Sequence, residues 1–308
     1  MFNWQTRKFP LIALSPMADF TDQPFSLICK KFGAQLIFRE MVSADAVARR
    51  NPKTLERLSL REEERPLIQQ LFGRNPKIMA EAAKIIFELM HPDGLDINMG
   101  CPARKIIKNF HGAALMKEPA LAAEIVSAVA GASPLPVSVK TRLGWSNKEE
   151  ILDFAPLLEK AGAAAIGVHG RTKEQGLTGP ADWEMINKTK KRVKIPVLAN
   201  GGIFSPSDIE ECLRVTKADG VLLARGALGN PWIFAGIDKT SVPAEEIKNI
   251  ILEHSALQVA RYGERGLITF RKHLAFYFKG LPFAKNLKQN LARIKTLGEL
   301  KEFLATAH

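Results

Sequence analysis

Short apolar runs alternate with longer amphipathic segments over roughly the first 230 residues of the chain. Eight of these runs have the length and composition of buried β-strands, at 11–16, 36–41, 66–73, 94–100, 137–143, 165–170, 196–202 and 220–227. In several intervening segments the apolar residues recur at helical spacing, at 76–90, 119–132, 149–163 and 205–218. Ser205, a proline after it and Asp208 two residues further on are typical of a helix start.

Eight β/α units of this length predict a TIM (β/α)8 barrel, which is an α/β fold. A doubly wound sheet is the alternative, but it has no place for eight evenly spaced strands, and no GxGxxG follows the first strand. After about residue 240 no strand-like run occurs, and 243–308 has the pattern of three or four helices. We therefore predict a catalytic barrel domain over 1–238, followed by a small C-terminal helical bundle domain over 239–308.

The composition is that of an ordinary globular protein, with 308 residues of which 46% are hydrophobic and 25% charged. No apolar run reaches 18 residues, so we expect no membrane span. The apolar stretch near the N-terminus is broken by Pro10 and Pro16, so we expect no signal peptide. The cysteines are too few and too scattered for a disulfide framework, which predicts a reducing, cytoplasmic location. They are Cys29, Cys101 and Cys212.

The net charge of +12 and the pI near 9.6 favour a polyanionic partner. Much of this charge lies in 261–295, where nine basic residues face one acid, Glu264. The basic residues are Arg261, Arg265, Arg271, Lys272, Lys279, Lys285, Lys288, Arg293 and Lys295, and aromatic residues lie among them at Tyr262, Phe270, Phe276, Tyr277, Phe278 and Phe283. The combination predicts RNA or DNA binding, although a solvated helix face over an aromatic core would have the same composition.

The carboxyl ends of the predicted strands carry polar, cationic or glycine-rich residues. In a TIM barrel these ends build the active site. The residues are Ser15–Ala18, Glu40, Gln69 and Gln70, Asn98 with Cys101, Lys140 with Arg142, His169 with Arg171, Asn200–Gly202, and Ala224–Gly226. Core packing alone does not require such residues, so the pattern predicts a ligand pocket. Glycines at strands seven and eight, with a nearby arginine, further predict a phosphate site, although each glycine alone fits an ordinary turn.

Two single residues at these ends leave alternatives open. Lys140 ends an apolar strand, where a buried cation requires an anion or an electron-rich ring, unless its amine reaches the barrel rim. His169 has Arg171 two positions on, so it either contacts a phosphate or a carbonyl, or is a satisfied rim residue. No group of His, Asp and Glu has the spacing of metal ligands, and we predict no metal.

Cys101 stands between a glycine and a proline in DINMGCPARK, three residues after Asn98. A free thiol, with a pKa of about 8.5, is mostly protonated at neutral pH. We therefore predict that Cys101 is a general acid. A nucleophile is the alternative, but it needs a neighbouring base that the sequence does not identify. Cys29 and Cys212 lie in helix-like segments and are interpreted as packed residues.

Together these residues resemble the tRNA-dihydrouridine synthase family. The resemblance is carried by SPMADFTDQPF, QLFG, DINMGCPARKI, GAALMK, VKTRLGW, VHGRT, ANGGI and ARGALGNPW, in that order, and by FRKHLAFYFKG in the tail. It covers the whole barrel. It implies a TIM barrel that holds FMN, a helical tRNA-binding domain, and NADPH as the reductant. The implied reaction is reduction of the C5–C6 double bond of particular tRNA uridines.

The resemblance also implies residue roles. Cys101 would give a proton to C5 while the flavin gives hydride to C6, and Asn98 and Arg171 would orient the uracil. The implied FMN-binding residues are Pro16, Met17, Ala18, Gln70, Lys140, His169, Asn200, Gly201, Gly202, Ala224 and Arg225. Among these, Lys140 would lie at the N1–C2 side of the flavin. Contacts to tRNA would come from Arg104, Lys105 and Lys108 at the mouth and from Arg271 and Lys272 in the tail. No protein partner is implied.

The chain departs from the family pattern at two positions, and two other functions stay open. Residues 200–202 read NGG where many relatives have NGD, and Ala224 stands where glycine is common; neither change should prevent phosphate binding. An FMN-dependent TIM-barrel oxidoreductase acting on a free pyrimidine or another small substrate would share the flavin residues, but would not need a basic tail. A tRNA-binding protein built on an inactive barrel would lack flavin.

Overall fold

Eight parallel strands form a closed barrel in the computed structural model, which describes residues 3–4, 7–279 and 294–306. Each strand pairs with the next along the chain, and the last pairs with the first. The strands are β1 (Leu11–Leu14), β2 (Leu36–Ser43), β3 (Leu67–Phe72), β4 (Gly94–Met99), β5 (Val137–Arg142), β6 (Ala165–His169), β7 (Val197–Asn200) and β8 (Gly220–Leu223). The predicted TIM (β/α)8 barrel is confirmed.

Helices pack around this barrel. They are α1 (Gln23–Lys31), α2 (Ala44–Ala48), α3 (Pro52–Leu55), α4 (Pro76–Met90), α5 (Arg104–Ile107), α6 (Pro119–Ala132), α7 (Ile151–Lys160), α8 (Trp183–Arg192) and α9 (Pro206–Thr216). The helix α9 begins as predicted, because Ser205 Oγ accepts the amide of Asp208 at 3.2 Å and the Asp208 carboxylate accepts the amide of Ser205 at 3.0 Å. The helix α7 is shorter than predicted, because 148–150 form a separate 3₁₀ turn.

Several strands end earlier than their apolar runs predict. The run 220–227 is a strand only over Gly220–Leu223, and the chain leaves β7 directly after Asn200. The reason at β7 is backbone geometry, because Gly201 and Gly202 have φ of +101° and +79°, outside the strand region. The residues that follow the strands are therefore free to form loops at the barrel rim.

The barrel interior has an apolar end and a polar end. Near the amino ends of the strands, the interior is filled by Trp4, Leu11, Ala13, Leu36, Phe38, Ile68, Ala165, Leu198 and Leu222. The polar end contains Gln70, Asp96, Asn98 and Lys140, all buried. Outside the barrel, Cys29 and Cys212 are fully buried against the helices, as predicted. Because the apolar plug closes one end, a ligand can enter only from the other.

Three further helices follow the barrel in the described part of the chain. They are α10 (Ala244–Tyr262), α11 (Arg265–Tyr277) and α12 (Leu297–Thr306). Their shared core contains Phe270, Tyr277 and Phe278, so these aromatics pack the tail rather than face a nucleic acid. The predictions for Phe283, Lys285, Lys288 and Arg293 fall outside the described residues.

The tail packs directly on α1 of the barrel. Gln258 Nε2 in α10 donates to Asp22 Oδ2 at 2.8 Å, and Lys31 Nζ lies 2.6 Å from Glu253 Oε2. The core of the tail also takes in Ile28 of α1. The domain boundary at 238/239 stays a prediction. Among the described helices, none combines the length and the apolar character that crossing a membrane requires.

Candidate active site

A cavity of about 260 Å³ opens at the carboxyl ends of the strands. All eleven residues predicted to bind the flavin line it, and so do Asn98 and Cys101. Its volume is near the lower end of what small-molecule sites occupy, roughly 300–1,000 Å³. The structure thus brings together at one opening the residues that the sequence places on seven different strand ends.

A chain of hydrogen bonds crosses the cavity floor from β3 to β5. Gln70 Nε2 donates to Asp96 Oδ2 at 2.6 Å, and Asn98 Nδ2 donates to Gln70 Oε1 at 2.9 Å. The second oxygen of Asp96 accepts the Ser138 hydroxyl at 2.7 Å. Because an ionised carboxylate only accepts, this chain fixes which way the Gln70 amide faces. Gln69 points away from the cavity and donates to the backbone carbonyl of Glu40 at 2.9 Å, as strand alternation predicts.

The turn that carries Cys101 is held by two side chains. Asn98 Oδ1 accepts the amides of Gly100 and Cys101 at 3.2 and 3.0 Å. Arg142 Nε donates to the carbonyl of Gly100 at 2.8 Å. A Cβ at position 100 would lie 3.2 Å from the backbone of Thr141, so glycine lets the turn approach β5 closely. The thiol of Cys101 is therefore presented to the cavity by a fixed backbone.

The environment of Cys101 favours the neutral thiol. Burial raises the pKa of Cys101, and the Ala103 amide and the charge of Arg142 lower it by less. The thiol is consequently protonated at neutral pH, which is the state that a general acid needs. This agrees with the general-acid interpretation rather than with a pre-formed thiolate nucleophile.

Lys140 lies deep in the cavity with one protein acceptor in the described chain. Its Nζ donates to Asn200 Oδ1 at 2.9 Å, and Asn200 Nδ2 in turn donates to the carbonyl of Leu222 at 2.7 Å. A Cβ at Gly167 would lie 2.7 Å from Lys140 Cδ, so this glycine makes room for the lysine stem. An ammonium carries three donors, which leaves two that a ligand could accept.

Burial and the neighbouring charges lower the pKa of Lys140 to about 7, the positive Arg142 lowering it and the negative Asp96 opposing this. Burial raises the pKa of Asp96 to about 6, against its hydrogen bonds and the charge of Lys140. A buried lysine that lies so close to neutrality is readily recharged by an anionic ligand, because an opposite charge raises its pKa.

His169 is neutral and its tautomer is fixed. Arg171 Nη1 lies 3.2 Å from His169 Nε2, and a guanidinium can only donate, so Nε2 accepts and Nδ1 carries the proton. Burial lowers the pKa of His169 to about 2, helped by the positive charges of Lys140, Arg142, Arg171 and Arg225. Four cations around one imidazole indicate a site prepared for an anion.

The corner formed by β7 and β8 has the close backbone approach that an anion site requires. A Cβ at Gly201 would lie 2.4 Å from His169 Cδ2, and a Cβ at Gly226 would lie 2.3 Å from the carbonyl oxygen of Ile203. Arg225 stands exposed at the rim, with its guanidinium 5.6 Å from the ring centre of Phe204. Glycine backbone and a rim cation together suit a phosphate.

The chain matches the family model described as "Dihydrouridine synthase (Dus)" over residues 12–308. It is 40% identical over 282 residues to "Probable tRNA-dihydrouridine synthase" of Rickettsia bellii (strain RML369-C), covering 88% of this chain and 86% of that protein. It is 38% identical over 294 residues to "tRNA-dihydrouridine synthase B" of Pseudomonas aeruginosa strain PAO1, covering 92% and 88%. The chain belongs to the dihydrouridine synthase family. The family predicted from the motifs is confirmed.

Solved structures with the same fold include two oxidoreductases. Histamine dehydrogenase from Rhizobium sp. 4-9 aligns with a TM-score of 0.57 at 12% identity, over 80% of this chain and 48% of that one. Morphinone reductase in complex with tetrahydroNAD aligns with a TM-score of 0.53 at 12% identity, over 76% and 90%. At this identity the likeness establishes the TIM-barrel fold alone.

In this dihydrouridine synthase family member, the two residues predicted to orient the uracil both hold neighbouring protein groups. The polar atoms of Asn98 hold the Cys101 turn and Gln70. Arg171 does not line the cavity, because its guanidinium donates twice to the carbonyl of Gly179, at 3.0 and 2.6 Å, and once to His169. Their direct contact with a uracil stays a prediction.

Sequence reasoning gave no role to Arg142, which it placed at a strand end, and it missed Asp96 altogether. Arg142 lines the cavity and joins the Cys101 turn to the loop after β6, donating to the carbonyls of Thr172 and Gly176 at 3.0 and 2.8 Å. Asp96 anchors the floor. Both could have been found from strand alternation, because Arg142 is two residues from Lys140 and Asp96 is two from Asn98. The apolar wall, Met41, Leu177, Ile203 and Phe204, lies mainly in loops and gives no periodic signal.

The residues predicted to contact tRNA occupy different environments. Arg104 and Lys105 are exposed on α5, which begins three residues after Cys101. Lys272 is half-buried, with Nζ 5.2 Å from the ring centre of Phe20. Arg271 instead donates to the carbonyl of Ile294 at 2.8 Å and so ties α11 to the segment before α12. The mouth residues are therefore better placed for RNA than Arg271.

Proposed function

We propose that this chain uses FMN and NADPH to reduce the C5–C6 double bond of uridines in tRNA, giving dihydrouridine. The observation that carries the proposal is the gathering of all eleven flavin candidates and Cys101 around one cavity in a chain of this family. The curated relatives are named tRNA-dihydrouridine synthases, and the chain covers most of their length.

The cavity residues fit a flavin phosphate and ring. Gly201 and Gly202 hold a left-handed backbone that lets amide groups approach an anion closely, and Arg225 adds a charge at the same corner. Lys140 has donors to spare on the cavity floor, and Gln70 presents a fixed amide there. When bound, FMN would carry two electrons and a proton from NADPH to C6 of the uracil. The protein supplies orientation and charge compensation.

Cys101 would complete the reduction by protonating C5. Addition at C6 leaves negative charge on C5 and O4 of the uracil, and the S–H proton moves from Sγ to C5. The thiolate that remains is stabilised by the Ala103 amide and the positive charge of Arg142, both of which lower the pKa of Cys101. A proton from solvent at the cavity mouth then restores the thiol. Such general acids typically contribute about 10²- to 10⁴-fold to a rate.

Lys140 would balance charge within the site. Burial holds its pKa near 7, so the amine is close to neutral before a ligand arrives. An anion beside Nζ raises that pKa and restores the ammonium. The lysine thereby stabilises negative charge on the ring edge nearest Nζ, which the family resemblance identifies as the N1–C2 side of the flavin.

The recessed position of the cavity requires the target uridine to leave its stack. The exposed cations that could hold the surrounding backbone lie at the mouth, on α5 and at Arg225. A groove adjoins the mouth at Phe204 and Arg225 and leads to Lys239 and Lys279 of the tail segment. This continuity supports a tRNA that touches both the barrel rim and the tail.

The test is a spectrum followed by two additions. The untagged protein is purified, its flavin bands are recorded, and NADPH is added without oxygen, followed by unmodified tRNA. We expect bands that bleach with NADPH and recover with tRNA, with dihydrouridine detected in the tRNA by mass spectrometry. Uridine-free RNA serves as the control for non-specific recovery.

Two results would overturn the proposal. Recovery with a free pyrimidine but not with tRNA would assign the barrel to a small substrate. A colourless protein that FMN cannot reconstitute would remove the enzyme function and leave a tRNA-binding protein. Salt dependence adds a third readout, because a contact to phosphates makes the apparent KM for tRNA rise steeply with salt.

A further inference from the structure

A second group of polar side chains lies buried between the barrel and the tail. It consists of Asp22, the N-cap of α1, His254 of α10 and His273 of α11. Each offers one ligand atom, and these atoms all lie within 4.8 Å of one another. The exposed fractions of the three residues are 8%, 0% and 0%. The group is remote in sequence but compact in space.

The two histidines have ring nitrogens that nothing in the described chain satisfies. Both nitrogens of His273 and Nε2 of His254 are buried without a hydrogen-bond partner. An unpaired buried polar group destabilises the folded state, and such groups are rare in native proteins. Three of them in one cluster are atoms that a ligand between these side chains would satisfy.

One of the two tautomers of His254 directs a lone pair into the cluster. Its Nδ1 lies 3.1 Å from the Tyr277 hydroxyl. A neutral imidazole whose Nδ1–H donates to that hydroxyl has an unshared pair on Nε2. This is the arrangement by which a second partner orients a metal-ligating histidine.

Asp22 supplies a carboxylate that the protein already holds in place. Its Oδ1 accepts the amide of Phe25 at 3.1 Å, and its Oδ2 accepts Gln258 Nε2 at 2.8 Å. Each oxygen keeps a further lone pair. Gln258 also has an amide oxygen without a partner in the described chain.

Both histidines are fully buried and separated from bulk solvent. The rings of Phe20, Phe25 and Phe270 pack around them, with centroids 4.7–5.8 Å from a histidine ring. Buried imidazoles without protein partners offer the lone pairs that metal ions such as Zn²⁺ bind.

We propose that Asp22, His254 and His273 bind one Zn²⁺ ion that joins the tail to the barrel. Two imidazoles and one carboxylate are a common ligand set for zinc, with bonds of about 2.0–2.2 Å. Ligand atoms around such an ion stand roughly 3.4 Å apart, so the side chains must draw in from their present separations of up to 4.8 Å. The fourth ligand would be a water molecule or the free amide oxygen of Gln258.

The consequence is structural and does not depend on the proposed uridine chemistry. The ion would connect α1 directly to α10 and α11, which are the helices that orient the tail on the barrel. Since binding to the folded state alone stabilises it, zinc should raise the unfolding temperature, and a chelator present during refolding should lower it.

The experiment uses the untagged full-length protein, because an affinity tag would bring its own metal. After incubation with micromolar zinc and gel filtration, metal is counted by plasma mass spectrometry. We expect about one zinc per chain. Refolding with a chelator should lower the unfolding midpoint by roughly 5 °C or more relative to refolding with zinc.

Three variants make the result specific. Asp22→Asn keeps an oxygen for the N-cap while removing the ligand charge, and His273→Gln keeps a polar side chain of similar size; both should lose the bound zinc. His91→Asn, which removes an exposed histidine at a left-handed position, should keep it. The proposal would be overturned if the wild-type protein retained no zinc after incubation, or no more zinc than His273→Gln. It would also be overturned if refolding with a chelator gave the same unfolding midpoint as refolding with zinc.

Discussion

The two buried polar assemblies of this molecule differ in how completely the protein satisfies them. On the cavity floor, Gln70, Asp96 and Asn98 pair with one another at 2.6 and 2.9 Å. Between barrel and tail, His254 and His273 leave three ring nitrogens without partners in the described chain. In the first assembly the polar groups satisfy one another, and this fixes the orientation of the few groups that face a ligand. The second leaves polar atoms that face one another without being paired.

This difference follows from how each assembly is built. The floor is formed by neighbouring strands in fixed register, with Gln70 beside Asp96 and Asn98 beside Lys140. The histidine cluster is formed by docking three helices, so its members meet only once the tail has packed. The barrel strands fix the position of the Cys101 thiol. In the docked interface, a bound ion would instead add to the stability of the packed tail.

Removing the cavity's buried charge should have the largest effect. Lys140→Met keeps the length of the stem but removes the ammonium. We expect the rate at which NADPH bleaches the flavin bands to fall by about 10²-fold or more, because a preorganised charge next to the site of developing anion is lost. Stopped-flow absorbance measures this rate. Lys84→Met, which changes an exposed lysine on α4, is the control. An unchanged rate would mean that Lys140 only fills space.

Asp96→Asn should disturb the hydrogen bonds of the cavity floor and change how the stability of the protein depends on pH. An asparagine cannot accept from both Ser138 and Gln70 in the present arrangement, so the Gln70 amide turns and the Cys101 turn loosens. We expect single-turnover reduction of tRNA to fall by about 10-fold, with flavin still bound. Uridine reduction measured after rapid mixing gives the rate. If the variant reduces tRNA at the wild-type rate, the floor does not position Cys101.

The pH dependence has a definite sign. Asp96 titrates near 3.8 in the unfolded chain and at about 6 in the folded protein, so the folded state holds the extra proton between these values. Its contribution to stability is full below pH 3.8 and is lost as the pH rises through about 6. Over that window the stability of wild type relative to Asp96→Asn should fall by up to about 3 kcal/mol. Urea unfolding at a series of pH values tests this, and a constant difference would contradict it.

A substitution in the histidine cluster between barrel and tail should leave the reaction rates unchanged. We expect His273→Gln to alter the NADPH and tRNA half-reactions by less than about twofold while lowering the unfolding midpoint by several degrees. The histidine lies outside the cavity lining, and its ring contacts in the described chain are with Phe20, Phe25, Phe270 and His254. Calorimetry measures the unfolding midpoint, and stopped-flow absorbance on the same preparation measures the rates of the two half-reactions. A slow tRNA half-reaction with an unchanged midpoint would link the cluster to catalysis instead.

The smallest effect should come from single surface cations. Lys105→Ala removes an exposed charge beside the mouth, and we expect a few-fold higher KM for tRNA together with a salt slope that falls by about 1. Arg271→Ala should leave the slope unchanged and lower stability, because its guanidinium holds the carbonyl of Ile294. Titrating salt in steady-state assays separates the two. Equal slopes for both variants would mean that Arg271 also reaches RNA.

The barrel could be predicted from the sequence because its signal is local and repeated. Each strand is a short apolar run followed by a helix of 3.6-residue periodicity, and eight repeats leave few other folds. What could not be predicted is where each strand ends. The left-handed backbone at Gly201 and Gly202 ends β7 early. The apolar pattern of the sequence does not indicate where the backbone leaves the strand conformation.

The cavity was predictable for the same reason, because its residues follow strands whose order is known. Side-chain direction beyond the strand was not predictable. Arg171 follows β6, yet it bends back to the carbonyl of Gly179, and Arg271 lies in a basic segment, yet it is used inside the tail. The histidine cluster could not be predicted from the sequence, because Asp22 lies near the start of the chain and His273 in the tail. Only the packing of the tail on the barrel brings them together.

The measurement that bears most directly on the central claim separates the two half-reactions in Cys101→Ala. We expect NADPH to bleach the flavin bands at the wild-type rate, since the thiol takes no part in that step. Recovery of the bands with tRNA, and formation of dihydrouridine, should fall by at least about 10²-fold. Cys212→Ala, a change at a buried cysteine outside the cavity, should leave both steps intact. Dihydrouridine formed by Cys101→Ala at the wild-type rate would contradict the assignment of Cys101 as the acid.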